Sequence, residues 1–212
     1  MADLTTQASL CERRVLAYLG ERVFAKVAAD VRSRFQAEPS RAVAWQSVLV
    51  LWYTSEAGTE FLRRLRLLQT DPDGAAVRSW PSPVHLLECF VEAALGLPTY
   101  SGPDLTRVIR VDAATLGEIH SAYRAGSQHL LPYPWSCSAS DRFRHDGNVH
   151  FRIHHRTGRN VGRFSYFPEE EEVVLLPGTR LRVQTVFRIS EDRLEIELVE
   201  TGSIRGGSGL MI

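Results

Sequence analysis

Lysine is almost missing from this chain: of 25 basic residues only Lys26 is a lysine, and the excess of arginine reads first as coding bias. Net charge is missing as well, because 25 acidic residues cancel the 25 basic ones. That balance removes the strong basic field with which a protein grips nucleic acid by its phosphates, and it speaks against a nucleic-acid partner. Cysteine is scarce and unpaired in pattern: Cys11, Cys89 and Cys137 are widely spaced with no CxxC, so neither a disulfide scaffold nor a zinc ribbon is suggested and three reduced thiols are expected. Long apolar runs are absent, the stretch 48–53 being far too short to span a bilayer, and no membrane partner is expected. Residues 1–14 show no basic segment followed by an apolar one, which fits a cytoplasmic protein or one delivered to a target cell without a classical signal peptide. There is no Walker loop and no GxGxxG, so neither nucleotide hydrolysis nor a Rossmann unit is supported. No internal repeat is visible.

What is present is an ordinary globular composition over 212 residues, 44% apolar and 24% charged, enough for one domain or a domain with a helical extension. Val15, Leu19, Val23, Val27, Val31 and Phe35 recur at i, i+4 and predict one long amphipathic helix over 15–35. Ser40 precedes a second apolar stretch, 42–53. Thr54 or Ser55 with Glu56 resembles a cap leading into a third helix through Phe61, Leu62, Leu65 and Leu68, which should end at the turn signal 71–74. Ser82-Pro83 opens a fourth helix that closes at Gly96. Beyond Pro98 the period changes to short β-type runs at 105–111, 149–153, 172–176, 180–189 and 193–200, with a helix at 113–124, a hairpin turn at 190–192 and a loose glycine-rich tail at 205–212. The expected fold class is α+β: a helical N-terminal lobe, 1–98, packed on a mixed, mainly antiparallel β-sandwich core, 99–212, as one integrated domain.

The most unusual local feature is the acidic run Glu169 to Glu172, which enters the apolar segment 173–176 directly. Adjacent carboxylates repel and raise one another's proton affinity where they are partly buried. An arbitrary acidic run is usually a solvated loop. Here strand alternation puts Glu170 and Glu172 on one face and Glu171 on the other, and two carboxylates on one face suit general-base work and stabilisation of a developing cation.

The segment Gly158-Arg159-Asn160-Val161-Gly162-Arg163-Phe164-Ser165-Tyr166-Phe167-Pro168-Glu169-Glu170-Glu171-Glu172-Val173-Val174-Leu175-Leu176-Pro177-Gly178-Thr179 resembles the arginine-specific mono-ADP-ribosyltransferases of the ecto-enzyme and bacterial-toxin type. Their signature is an arginine, a Ser-x-Ser and a Glu-x-Glu. Tyr53-Thr54-Ser55, Phe61, Leu65-Arg66, the Leu86-Leu87 helix and Leu97-Pro98-Thr99-Tyr100 are similar to the family's approach to its arginine, so the resemblance covers roughly 45–198. It implies the ADP-ribosyltransferase fold and NAD as substrate, with no metal. It also implies a target protein carrying an acceptor arginine, and an immunity or activator protein as a further partner.

Residue by residue, the resemblance puts the motif arginine on Arg107, in Leu105-Thr106-Arg107-Val108 where the family prefers Tyr-Arg-Gly. Arg110 competes with it, because the two lie on opposite faces of a strand. The Ser-x-Ser falls on Ser136-Cys137-Ser138 after Trp135; the alternative register puts Cys137 on the key serine. Ser136 would orient the catalytic glutamate and the nicotinamide-side ribose, and Ser138 would support the strand. Glu172 takes the catalytic position and Glu170 the first glutamate, orienting the acceptor guanidinium. Arg107, Val108, Ser136, Ser138, Phe164 and Glu172 are implied as NAD contacts. Phe164, Tyr166 and Trp135 are candidates to stack on nicotinamide or touch the target, although aromatics near strands are more often core. Cys137 reads as an inert buried thiol. His145, His150, His154 and His155 match no zinc spacing. Transfer to protein arginine, by a toxin or effector, leads; NAD glycohydrolysis, a nucleic-acid acceptor, and a catalytically silent binding module on the same fold are the alternatives.

Overall fold

The computed structural model describes residues 4–36, 45–70, 83–140 and 146–203. Ser40, Ser82, His145, the turn expected at 71–74 and the tail at 205–212 lie outside the described residues. The chain forms two compact units, one of Met1–Leu97 with Arg163–Tyr166 and one of Pro98–Gly162 with Phe167–Ile212. The short segment 163–166 thus returns to the helical unit from deep within the second half of the sequence.

The helical unit holds α1 (Leu4–Leu19), α2 (Glu21–Arg34), α3 (Trp45–Tyr53), α4 (Glu56–Thr70) and α5 (Pro83–Leu95). The single helix expected over 15–35 is two, because Gly20 takes φ 76, a left-handed conformation that ends α1 and starts α2. Val15, Val27, Val31 and Phe35 still face the core, while Val23 is 42% exposed. In α3 every residue but Gln46 is buried, as expected of a helix apolar on all sides, and it adjoins each of the other four. Thr54 and Ser55 do not cap α4 with their side chains. Their hydroxyls donate back to the carbonyls of Leu51 (2.8 Å) and Trp52 (2.6 Å) at the end of α3, which also accept from the N–H groups of Thr54 and Ser55. Gly58 is required by this tight turn, since a Cβ there would sit 1.8 Å from the Tyr53 carbonyl oxygen.

The expectation of three free thiols is corrected. Cys11 on α1 and Cys89 on α5 are joined in a disulfide with Cα atoms 5.4 Å apart, 78 residues apart in sequence. The pairing of α1 with α5 brings them together, which spacing along the chain cannot reveal. Cys137 is free and buried.

The second unit contains β1 (Leu105–Ile109), α6 (Ala113–Ala122), β2 (Gln128–Leu130), β3 (Trp135–Ser138), β4 (Val149–His154), β5 (Arg159–Asn160), β6 (Glu172–Leu175), β7 (Thr179–Ser190) and β8 (Arg193–Ser203). Asp112 caps α6, accepting from the Thr115 N–H at 2.8 Å. The strand order is β2-β7-β8-β4-β1-β3-β6-β5, antiparallel throughout except for the parallel pair β4 and β8. β1 and β3 meet at the single pair Thr106 with Ser138. The sheet is therefore a five-strand and a three-strand half joined at one point. Both halves feed one core, Leu105, Phe151, Ile153, Leu181, Leu194 and Ile196 from the larger and Trp135, Cys137, Val173 and Leu175 from the smaller. The mainly antiparallel α+β architecture matches the expected class. Strands β2, β3 and β5 were not expected.

Candidate active site

β1 alternates inward and outward: Leu105 is fully buried, Arg107 shares its face, and Thr106 and Val108 belong to the other. The Arg107 guanidinium donates to the Ser136 carbonyl at 2.5 Å and lies over the Trp135 ring, 5.3 Å from its centroid. Trp135 itself is 9% exposed and packs on Phe151, so it acts as a platform for Arg107. Arg110 follows the end of β1 and pairs with exposed Asp146 at the surface. The structure thus brings Arg107, and not Arg110, to the serine motif.

β3 and β6 pair antiparallel, Ser136 opposite Val174 and Ser138 opposite Glu172. Ser136 is then the diagonal neighbour of Glu172 on one face, within reach of a short polar contact. Its hydroxyl donates to Glu172 Oε1 at 2.6 Å, a charge-assisted bond to the carboxylate of a residue only 5% exposed. Cys137 points to the opposite, core side. Burial pushes its thiol up to about 12, so it holds no thiolate at neutral pH, and the register with Ser136 beside Glu172 is the one observed.

The two glutamates approach each other by a route different from the one expected. Pro168–Glu170 form a 3-10 turn, Glu171 takes the left-handed conformation φ 48, ψ 51, and only Glu172 begins β6. A turn, not strand alternation, therefore sets Glu170 beside Glu172. Glu170 is half-buried, and its carboxyl is raised above the usual range by burial first and then by the charges of Glu172 and Glu169. The Ser138 hydroxyl donates to the Glu170 carbonyl at 2.7 Å and accepts from the Ser140 N–H at 3.1 Å. The left-handed turn at Glu171 was not foreseen, because nothing in four identical residues marks the one that adopts it.

The two other expected NAD contacts, Val108 and Phe164, belong to different units of the chain. Val108 lies on the face of β1 opposite Arg107, against Gly147, where a Cβ would come within 2.6 Å of its Cγ1. Phe164 belongs to the helical unit, 5% exposed with its ring 4.8 Å from that of Phe35, a core position. Tyr166 is in the same unit, donating to Asp30 at 2.9 Å. The described histidines are engaged elsewhere: His150 with the Gly147 carbonyl, His155 with the Pro103 carbonyl, and His154 between Asp104 and Glu197, both at 2.8 Å. Among the described residues no group of three or more His, Cys, Asp or Glu is arranged to hold a metal ion, and no helix is long and apolar enough to cross a membrane.

No protein-family model matches the sequence, and no curated protein matches it. Solved structures do match the fold. A truncated form of the type III effector XopAI from Xanthomonas axonopodis pv. citri superposes with a TM-score of 0.69 at 15% identity, covering 94% of this chain and 89% of that one. Exoenzyme S from Pseudomonas aeruginosa, in complex with human 14-3-3 protein beta and bound to carba-NAD, matches with a TM-score of 0.64 at 16% identity over 95% of this chain and 94% of that one. The Vis ADP-ribosyltransferase toxin of Vibrio splendidus, in complex with agmatine, matches with a TM-score of 0.56 at 18% identity over 86% of each chain. At these identities the likeness is one of architecture, and the architecture of this chain is the ADP-ribosyltransferase fold.

Proposed function

We propose that this chain is an NAD-dependent mono-ADP-ribosyltransferase that moves ADP-ribose from NAD to an arginine of a target protein, acting as a toxin or effector. The observation that carries the reading is the 2.6 Å bond from Ser136 to buried Glu172, with Arg107 bonded to the Ser136 carbonyl beside it. The neighbours with this fold support it: exoenzyme S holds a carba-NAD, and the Vis toxin holds agmatine, a small guanidinium compound.

In this reading the Arg107 guanidinium pairs with the pyrophosphate of NAD. As the bond from nicotinamide nitrogen to ribose C1′ breaks, nicotinamide leaves with the electron pair and positive charge grows on the ribose. Glu172, held by Ser136, accepts a hydrogen bond from the 2′-hydroxyl and stabilises that charge. An arginine nitrogen then bonds to C1′, and its proton passes to Glu170. A carboxylate is needed there because guanidinium is otherwise fully protonated and a poor nucleophile. The raised proton affinity of Glu170 suits it to receive that proton. The products are ADP-ribosyl-arginine, nicotinamide and a proton.

The test follows nicotinamide release and labelled ADP-ribose together, with and without protein extract, beside Glu172→Gln. Hydroxylamine-sensitive label on protein, lost with the variant, is expected. Nicotinamide release without protein label would replace the transferase by a glycohydrolase, and turnover retained in Glu172→Gln would sink the mechanism.

A further inference from the structure

We infer that Ser138 and the left-handed residue Glu171 form a latch that fixes the Glu170 carboxylate toward the acceptor, making Ser138 a positioning residue for transfer over hydrolysis. The inference rests on the transferase reading for its meaning, although the latch itself is a matter of geometry. Ser138 is 2% exposed, and its hydroxyl does not bind Glu172 as that of Ser136 does. It spans from β3 to the carbonyl of Glu170 at 2.7 Å. Beside it the Ala139 N–H donates to the Glu171 carbonyl at 3.3 Å. Within the turn, the N–H groups of Glu170 and Glu171 donate to the carbonyls of Phe167 (3.1 Å) and Pro168 (3.2 Å).

Pairing of β3 with β6 ends at Ser138 opposite Glu172. Had the strand continued backward, Glu170 would have extended past the ladder. Instead Glu171 reverses the backbone through the left-handed region, which a residue with a Cβ adopts only when its surroundings impose it. The Ser138 hydroxyl at the end of β3 and the Ala139 N–H just beyond it are the groups that impose it. The result is a half-buried Glu170 close enough to feel the charge of Glu172. Water needs the Ser136–Glu172 pair to attack the ribose, whereas a guanidinium also needs Glu170 in place. Freeing the turn should therefore change the partition between the two acceptors.

The experiment uses the full chain with agmatine as acceptor and reads the ratio of ADP-ribosyl-agmatine to nicotinamide released, together with a carbon-13 NMR titration of the Glu170 carboxyl. Ser138→Ala is expected to lower the ratio about tenfold and to bring the Glu170 titration down toward that of an ordinary glutamate, and Ser138→Thr to restore both. Glu171→Gly, which keeps the left-handed turn, should preserve the ratio, while β-branched Glu171→Val should lower it. A folded Ser138→Ala with unchanged ratio, or an unchanged Glu170 titration, would overturn the latch. If the unmodified chain consumes no NAD with any acceptor, the transferase reading fails by itself, and the titration alone decides the latch.

Discussion

Replacing Ser136 by alanine removes a short bond that the neighbouring strand β3 supplies to the Glu172 carboxylate. Glu172 is a buried residue, 5% exposed, so water does not readily take the place of the lost hydroxyl. The bond is 2.6 Å and charge-assisted. Bonds of this kind contribute about 1.5–3 kcal/mol, and since each 1.4 kcal/mol is tenfold, kcat/KM for NAD should fall by about 10- to 150-fold. In the proposed mechanism Glu172 acts before the acceptor matters. Hydrolysis and transfer to agmatine should therefore fall together with their ratio unchanged, in contrast to the Ser138 variant. Steady-state nicotinamide release at several NAD concentrations, with circular dichroism to establish that the variant is folded, measures this. A folded Ser136→Ala with kcat/KM within about twofold of the parent chain would refute the role given to the Ser136–Glu172 bond.

Three further expectations concern stability. Reducing Cys11–Cys89, which closes a separation of 78 residues, should destabilise the helical unit by about 4–5 kcal/mol in the chain-entropy account; urea unfolding with and without reductant measures it, and coincident curves would refute it. His154 has its pKa raised above 6.5 by its hydrogen bond to Glu197, with Asp104 adding to it. The stabilisation it contributes should be full below pH 6.5 and lost as pH rises through the higher folded value. Its side chain is 35% exposed, so the effect should stay below about 1 kcal/mol. His154→Gln should flatten that step in urea midpoint against pH, and a step unchanged in the variant would assign it elsewhere. Glu200, 1% exposed, accepts from the N–H groups of Arg156 (2.5 Å) and Thr157 (3.0 Å) and from the Thr157 hydroxyl (2.7 Å). Glu200→Ala leaves these donors unpaired and should cost about 2–4 kcal/mol, read as a lower thermal midpoint; an unchanged midpoint would show that the loop rearranges at no cost.

Sequence periodicity was enough for the elements whose signal is local. The apolar stripes around Val31, Phe61 and Phe90 mark helices, and the alternation in 180–189 and 193–200 marks the long hairpin, because those segments bury one face each. The change of period near Pro98 likewise follows from local pattern. The candidate residues Arg107, Ser136, Glu170 and Glu172 could be named from spacing and resemblance, since their chemistry requires those residue types. Strands β2, β3 and β5 escaped notice because two to four residues cannot display a period. The break at Gly20 escaped because the stripe passes over it without interruption.

The tertiary structure alone decided the rest. Arg107 and Arg110 compete in sequence, and the point where β1 ends and the side of β1 that faces Trp135 separate them in the structure. The register of the serine motif was fixed by the pairing of β3 with β6, a contact across 36 residues that puts Ser136 against Glu172 and turns Cys137 into the core. Four adjacent glutamates look alike until a turn held from β3 gives Glu170, Glu171 and Glu172 three different backbones and three different environments. The disulfide belongs to the same class, because packing of α1 on α5 creates it. Residue type and period are properties of short stretches of chain, whereas pairing across dozens of residues is settled by which buried surfaces fit together, and that information is not stored at any one position.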